Sequence, residues 1–145
     1  MTESAAIVLY LSELVPAAGL APPPGDPTRA AFLRWLVFLV ANVYPTFTYG
    51  DEPGRWVEPE ASANRFRKKT DDYRKRLWTQ VEAAITPAPW FLGEQFSALD
   101  IYIYVMTRWR PRRAWFAEHC PKLEAIALAC DADPRLAAVW ARNFT

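Results

Sequence analysis

Cysteine and histidine are scarce in this chain, which has two of the first, Cys120 and Cys130, and one of the second, His119. The cysteines are spaced for neither a CxxC redox or zinc motif nor a disulfide framework, so both read as buried free thiols in a reducing compartment. A single imidazole excludes any centre that needs two, and His119 reads as a polar residue at a helix end. No metal site is expected. Glycine is also sparse, 5 in 145 residues, which argues against a turn-dense all-β sandwich. Charge of one sign is missing as well: 17 Lys plus Arg against 16 Asp plus Glu leave a net +1, too little to draw in nucleic acid.

What the chain does have is apolar residues, 52%, and aromatics, 14%, in a length that makes one domain and buries roughly two thirds of the unfolded surface. Its apolar start, Ala5 to Leu11, does not read as a secretory signal, because no Lys or Arg opens it and Glu3 and Glu13 bracket it. The strongest apolar run, Phe32 to Val43, contains Arg34 and falls short of the ~20 residues that span a bilayer. A cytoplasmic protein with no membrane partner is expected.

The pattern along the chain is helical throughout. Ile7, Leu11 and Leu14 recur at helical spacing in Glu3 to Leu14, and Ala6, Val8, Leu9 and Tyr10 extend the apolar surface around most of that helix. Val15 to Pro27, with three adjacent prolines, is an extended linker. Asp26-Pro27 then starts a long helix whose core face is Phe32, Trp35, Leu36, Leu39, Val40, Val43 and Phe47; Pro45 is expected to kink or end it near Tyr44, and Tyr49 to Pro59 reads as loop. A second long helix, Ala61 to Ile85, carries Phe66, Tyr73, Leu77, Val81 and Ile85 inward. Its run RFRKKTDDYRKR, which has Asp71 and Asp72 inside it, reads as a solvated face with internal ion pairs.

Phe96 to Ile101 is the sharpest local signal. Ser97 and Asp100 stand at capping-box spacing and Phe96 and Ile101 at that of a hydrophobic staple, so a helix is specified there locally. Ile101 to Met106 is apolar or aromatic all round, as suits a central helix. Pro111, Pro121 and Pro134 punctuate three shorter helices, about Arg112 to Glu118, Lys122 to Cys130 and Arg135 to Ala141.

FLGEQFSALDIYI, Phe91 to Ile103, resembles the capped central helix of the C-terminal domain of cytosolic glutathione transferases, where a Phe-Leu-Gly turn leads into Ser-x-x-Asp. The prolines, the helix pair Pro27 to Tyr49 and Ala61 to Ile85, and the closing helices fit that domain in order and length. Glu3-Ser4-Ala5-Ala6-Ile7 looks like the Glu/Gln-Ser-x-Ala-Ile motif opening the last helix of the family's thioredoxin-like domain. The resemblance implies an all-α fold, an orthogonal helical bundle, divided into residues 1–15 (residual last helix of a thioredoxin-like domain), 16–26 (linker) and 27–145 (helical C-terminal domain).

It also implies glutathione as co-substrate, with Ser4 and the free N–H groups of the first helix holding its γ-glutamyl carboxylate and Glu3 pairing with its ammonium group. The family's hydrophobic electrophile pocket would fall on Phe38, Asn42, Tyr44, Phe47, Tyr49, Arg108 and Trp109; Phe38 and Phe47 read equally as core, and Trp109 as packing at a helix end. Only Met1 and Thr2 precede the Glu-Ser motif, so a sheet and a residue that activates the thiol are not expected here. The 145 residues are therefore expected to be an N-terminally shortened, bacterial-type member without conjugating activity of its own. The alternative is a noncatalytic interaction module on the same helices, and in either case a homodimer or partner protein is expected to cover the apolar first helix.

Overall fold

In the computed structural model, which describes residues 1–144 and leaves out the side chain of Glu60, the described residues are mostly helical. Its segments are α1 (Ser4–Leu14), α2 (Arg29–Phe38), α3 (Tyr44–Asp51), α4 (Ala63–Ala84), α5 (Ala98–Thr107), α6 (Arg113–His119), α7 (Pro121–Ala132) and α8 (Ala137–Asn143). Among the described residues no strand occurs beyond one isolated bridge between Trp90 and Gly93. The last residue assigned to the helical domain, Thr145, lies outside the described residues.

Pro45 does not end the first long helix. A π-turn over Leu39–Val43 joins α2 to α3, with the Tyr44 N–H bonded to the Leu39 carbonyl five residues back, so the register shifts just where Pro45 has no N–H to give. Arg29 to Asp51 thus forms one rod of 23 residues, long and apolar enough by length and composition to cross a bilayer. Here it is a core element: Phe32, Trp35, Leu36, Leu39, Val43 and Phe47 are buried together with Leu77, Trp78 and Val81 of α4 and Leu99, Ile103 and Met106 of α5. Residues after Tyr49, expected as loop, continue the helix to Asp51 and then turn through Pro53–Arg55.

In α4 the buried stripe is Thr70, Arg74, Leu77, Trp78 and Val81, at intervals of three and four. Arg74 takes the inward place expected of Tyr73, which stays exposed. Its cation is accommodated because the preceding helix supplies acceptors: Arg74 Nε donates to Thr46 Oγ1 and Nη2 to the Thr46 carbonyl, both at 2.7 Å, and Nη1 to Asp71 Oδ1 at 2.7 Å. The guanidinium also lies 3.9 Å from the Phe47 ring centroid. The basic run is therefore not wholly a solvated face.

The start of α5 is tied down on three sides. Asp100 Oδ2 accepts from the Ser97 N–H at 2.7 Å, Ser97 Oγ accepts from the Leu99 N–H at 3.3 Å, and Asp100 Oδ1 reaches back to the Phe91 N–H at 2.7 Å. The Ala98 N–H donates to the Leu20 carbonyl, fastening the proline linker to the same point. Phe96 packs edge-on against Trp90 at 5.1 Å, while Ile101 faces a cleft beside α1. No residue of α1 is buried, as none of α8 is, and Tyr10, Leu11 and Leu14 are exposed, while Ala5, Val8 and Leu9 pack on the core.

Candidate functional site

Where α3 begins and the chain leaves α5, three aromatic rings meet. Tyr44 and Phe47, one turn apart on the rod, lie edge-on to Trp109 with centroids 5.5 and 5.0 Å away and 6.4 Å from each other. They wall a cavity of about 470 Å³ whose polar rim is Thr48, Asp51, Glu52, Arg55 and Arg110. The rim charges are paired, Arg110 with Asp51 and Arg55 with Glu52, and Arg110 Nε lies 3.8 Å from Asp71. Beneath the rings, Arg74 is 1% exposed; burial pulls its pKa below the ordinary arginine value and the Asp71 carboxylate opposes that pull. Such a cavity offers ring contact to a flat apolar group, with little net charge to favour an ion of either sign.

A second, more apolar cleft of about 460 Å³ runs between α1 and α5, with Ile7, Val8 and Leu11 on one wall and Ile101, Tyr102 and Val105 on the other. Tyr44 and Trp109 border both spaces and form the ridge between them. At the mouth of this cleft, the first turn of α1 has no side-chain cap, and Glu3 holds a positive φ of 66°. A non-glycine residue in such a conformation stores about 1–3 kcal/mol, a strain that clusters at ligand clamps. Ser4 Oγ accepts a 2.7 Å hydrogen bond from the Tyr102 hydroxyl, which leaves the Ser4 proton free to donate. Burial raises the Tyr102 pKa, so this hydroxyl keeps its proton.

The structure brings together three of the seven expected pocket residues, Tyr44, Phe47 and Trp109, and places four elsewhere. Phe38 packs edge-on against Trp35 in the core, and Asn42 is exposed on the outer side of the π-turn. Tyr49 turns outward onto Trp56 at 4.9 Å. Arg108 lies between the Tyr104 and Phe144 rings and pairs with Asp131. Helix geometry explains the split, because adjacent residues point about 100° apart and Arg108 cannot share a wall with Trp109. The residues missed, Thr48, Asp51, Glu52, Arg55 and Arg110, follow from the helix running past Pro45: Tyr44, Thr48 and Asp51 stand at i, i+4 and i+7.

Neither thiol is a nucleophile. Cys120 and Cys130 are fully buried, and burial pushes each up to about 12. Among the described residues no cluster of His, Cys, Asp or Glu could hold a metal ion.

No protein-family model matches the chain. It is 42% identical over 143 residues, 99% of its own length and 68% of the relative's, to the uncharacterised GST-like protein YncG of Escherichia coli K12. The chain belongs to the glutathione transferase family. Glutathione S-transferase GST-4.5 of Xanthomonas campestris shares 28% identity over 109 residues, 75% of this chain and 53% of that protein. Among solved structures, a Sulfitobacter glutathione transferase homologue with bound glutathione superposes with a TM-score of 0.83 at 26% identity, covering 100% of this chain and 69% of that one. A sphingomonad glutathione S-transferase complexed with glutathione gives 0.72 at 27% identity, with 100% and 69% covered. The chain thus spans about half to two thirds of the length of the glutathione transferases it matches.

Proposed function

We propose that these residues form the electrophile side of a glutathione-conjugating site, with Tyr44, Phe47 and Trp109 receiving the hydrophobic substrate. The observation that carries this reading is the three-ring cavity on the ridge that also borders the α1 cleft, in a chain of this family. Ser4 and the uncapped N–H groups of α1 suit the γ-glutamyl carboxylate of glutathione, and the exposed Glu3 suits its ammonium group. In the reaction, glutathione's thiolate attacks an electrophilic carbon and the leaving group departs with the bonding pair; the apolar rings hold the electrophile at that face and exclude water. The hydroxyl nearest Ser4, that of Tyr102, is already spent on Ser4 Oγ, and the reading for the 145-residue polypeptide by itself is weak glutathione binding without conjugation.

The test is conjugation of glutathione to an aryl halide, read as a rate above the uncatalysed one with the purified polypeptide. The rate should match the buffer blank; turnover would show that thiol activation resides within these residues. A role in clearing electrophiles, in a reducing cytoplasm where two buried thiols stay reduced, goes with this reading.

A second reading is favoured by α1, whose Tyr10, Leu11 and Leu14, with Val15, present apolar surface to solvent. Soluble monomers rarely leave such a strip uncovered, so a homodimer or a partner protein covers it. Monodisperse monomers in light scattering, with no binding of a hydrophobic dye, would contradict this.

A further inference from the structure

Beyond the C-terminal end of α5, three arginines converge. Arg108 closes α5, Arg112 and Arg113 open α6, and with Asn143 and Phe144 at the end of α8 they border a space of about 510 Å³. The carboxylates that face it do not balance them. Asp131 is shared between Arg108 Nη2 at 3.0 Å and Arg113 Nη2 at 3.1 Å, and Glu124 binds Arg113 Nε through both oxygens at 2.9 and 2.8 Å. The Arg112 side chain has neither ion pair nor hydrogen bond among the described residues, its only bonds being backbone ones to Trp109 and Trp115, and Arg108 Nε is buried without an acceptor. A buried N–H left unpaired is costly, and in native structures it calls for a partner such as a water or an ion.

Two members of the cluster, Arg108 and Arg113, are also held rigid. The Arg108 guanidinium lies 4.6 Å from both the Tyr104 and Phe144 centroids and donates to the Tyr104 hydroxyl, while Tyr104 itself stacks on Trp140 at 4.0 Å. Flat guanidiniums fixed in this way present donors without first having to be ordered. Among the described residues, three cations against two carboxylates leave one positive charge, with the unpaired fork of Arg112 at the opening.

We propose that Arg108, Arg112 and Arg113 form a binding site for a phosphoryl group, separate from the aromatic cavity and independent of any glutathione chemistry. A tetrahedral dianion offers several acceptor oxygens to guanidiniums set around one space, which a monovalent halide cannot do. Phenyl phosphate, whose ring can reach Phe144, distinguishes a phosphomonoester from free phosphate.

Thermal unfolding of the purified polypeptide, titrated with potassium phosphate at an ionic strength held constant with potassium chloride, tests the site. The wild-type midpoint should rise and saturate. In Arg112→Ala, whose stability in chloride alone should be unchanged because the side chain is exposed and unpaired, the phosphate concentration at half-effect should rise about tenfold or more, with Arg112→Lys in between. A lower half-effect concentration for phenyl phosphate than for phosphate would assign the site to a phosphomonoester; the reverse order would assign it to phosphate itself. Identical phosphate curves for wild type and Arg112→Ala, or a wild-type curve with no saturating rise, would overturn the proposal.

Discussion

Replacing Asp100 by alanine removes the acceptor on which the centre of the domain is assembled. The carboxylate, fully buried, accepts from the backbone N–H groups of Phe91 and Ser97, both at 2.7 Å, and from the Ser97 hydroxyl at 3.2 Å. Alanine strands two buried N–H groups, each at a cost of about 1–3 kcal/mol, and a loss of about 4 kcal/mol is expected. That is a large share of the roughly 5–15 kcal/mol that holds a domain folded, and it lowers Tm by about 10 °C in a chain of this size. Ser97→Ala, which gives up a single 3.3 Å cap bond, should cost only about 1 kcal/mol. Urea unfolding followed by far-ultraviolet circular dichroism reads both variants. A loss below 1 kcal/mol for Asp100→Ala, or equal losses for the two, would refute the assignment of Asp100 as the tie between the 91–97 turn and α5.

Burial raises the Asp100 pKa from 3.8 to about 6, against the hydrogen bonds that favour its ionised form. The folded chain then holds this proton more tightly than the unfolded one, so the associated stability is full below about pH 4 and is lost as pH rises through 6. The loss amounts to about 3 kcal/mol, and Asp100→Asn should flatten that part of the pH profile of urea unfolding relative to wild type. Arg74→Met leaves the Thr46 carbonyl and hydroxyl without their donor, and a loss of about 3 kcal/mol is expected by the same method; an unchanged midpoint would mean that the buried cation contributes nothing. Leu11→Glu together with Leu14→Glu should abolish self-association in sedimentation velocity while leaving the helical content intact, and an unchanged oligomer would place the interface elsewhere.

The helical order was legible in the chain because its boundaries are set locally. Proline and Asp-Pro mark the first long helix, and the Ser97–Asp100 box fixes the start of α5 without help from distant residues. Two features were not legible, one a local backbone shift and the other a tertiary contact. Continuation past Pro45 needs the π-turn at Leu39–Val43, whose i+5 bonding leaves no mark in hydrophobic spacing. The inward turn of Arg74 needs Thr46, 28 positions earlier, to accept its protons. Those two facts account for the site as well. Once the rod is carried on to Asp51, the face holding Tyr44 and Phe47 gains Thr48 and Asp51, and Arg110 follows as the partner of Asp51. Expecting Arg108 beside Trp109 failed for a simpler reason, since neighbours in sequence at a helix end face different sides.

The most direct test is a two-dimensional amide and indole NMR titration of the polypeptide with an aryl halide in the absence of glutathione. Perturbations concentrated at Tyr44, Phe47, Thr48 and the Trp109 indole, and weakened by Trp109→Ala, are the predicted result. Perturbations centred on Asn42, Tyr49 or Arg108, or a titration that moves no residue of the three-ring cavity, would contradict it.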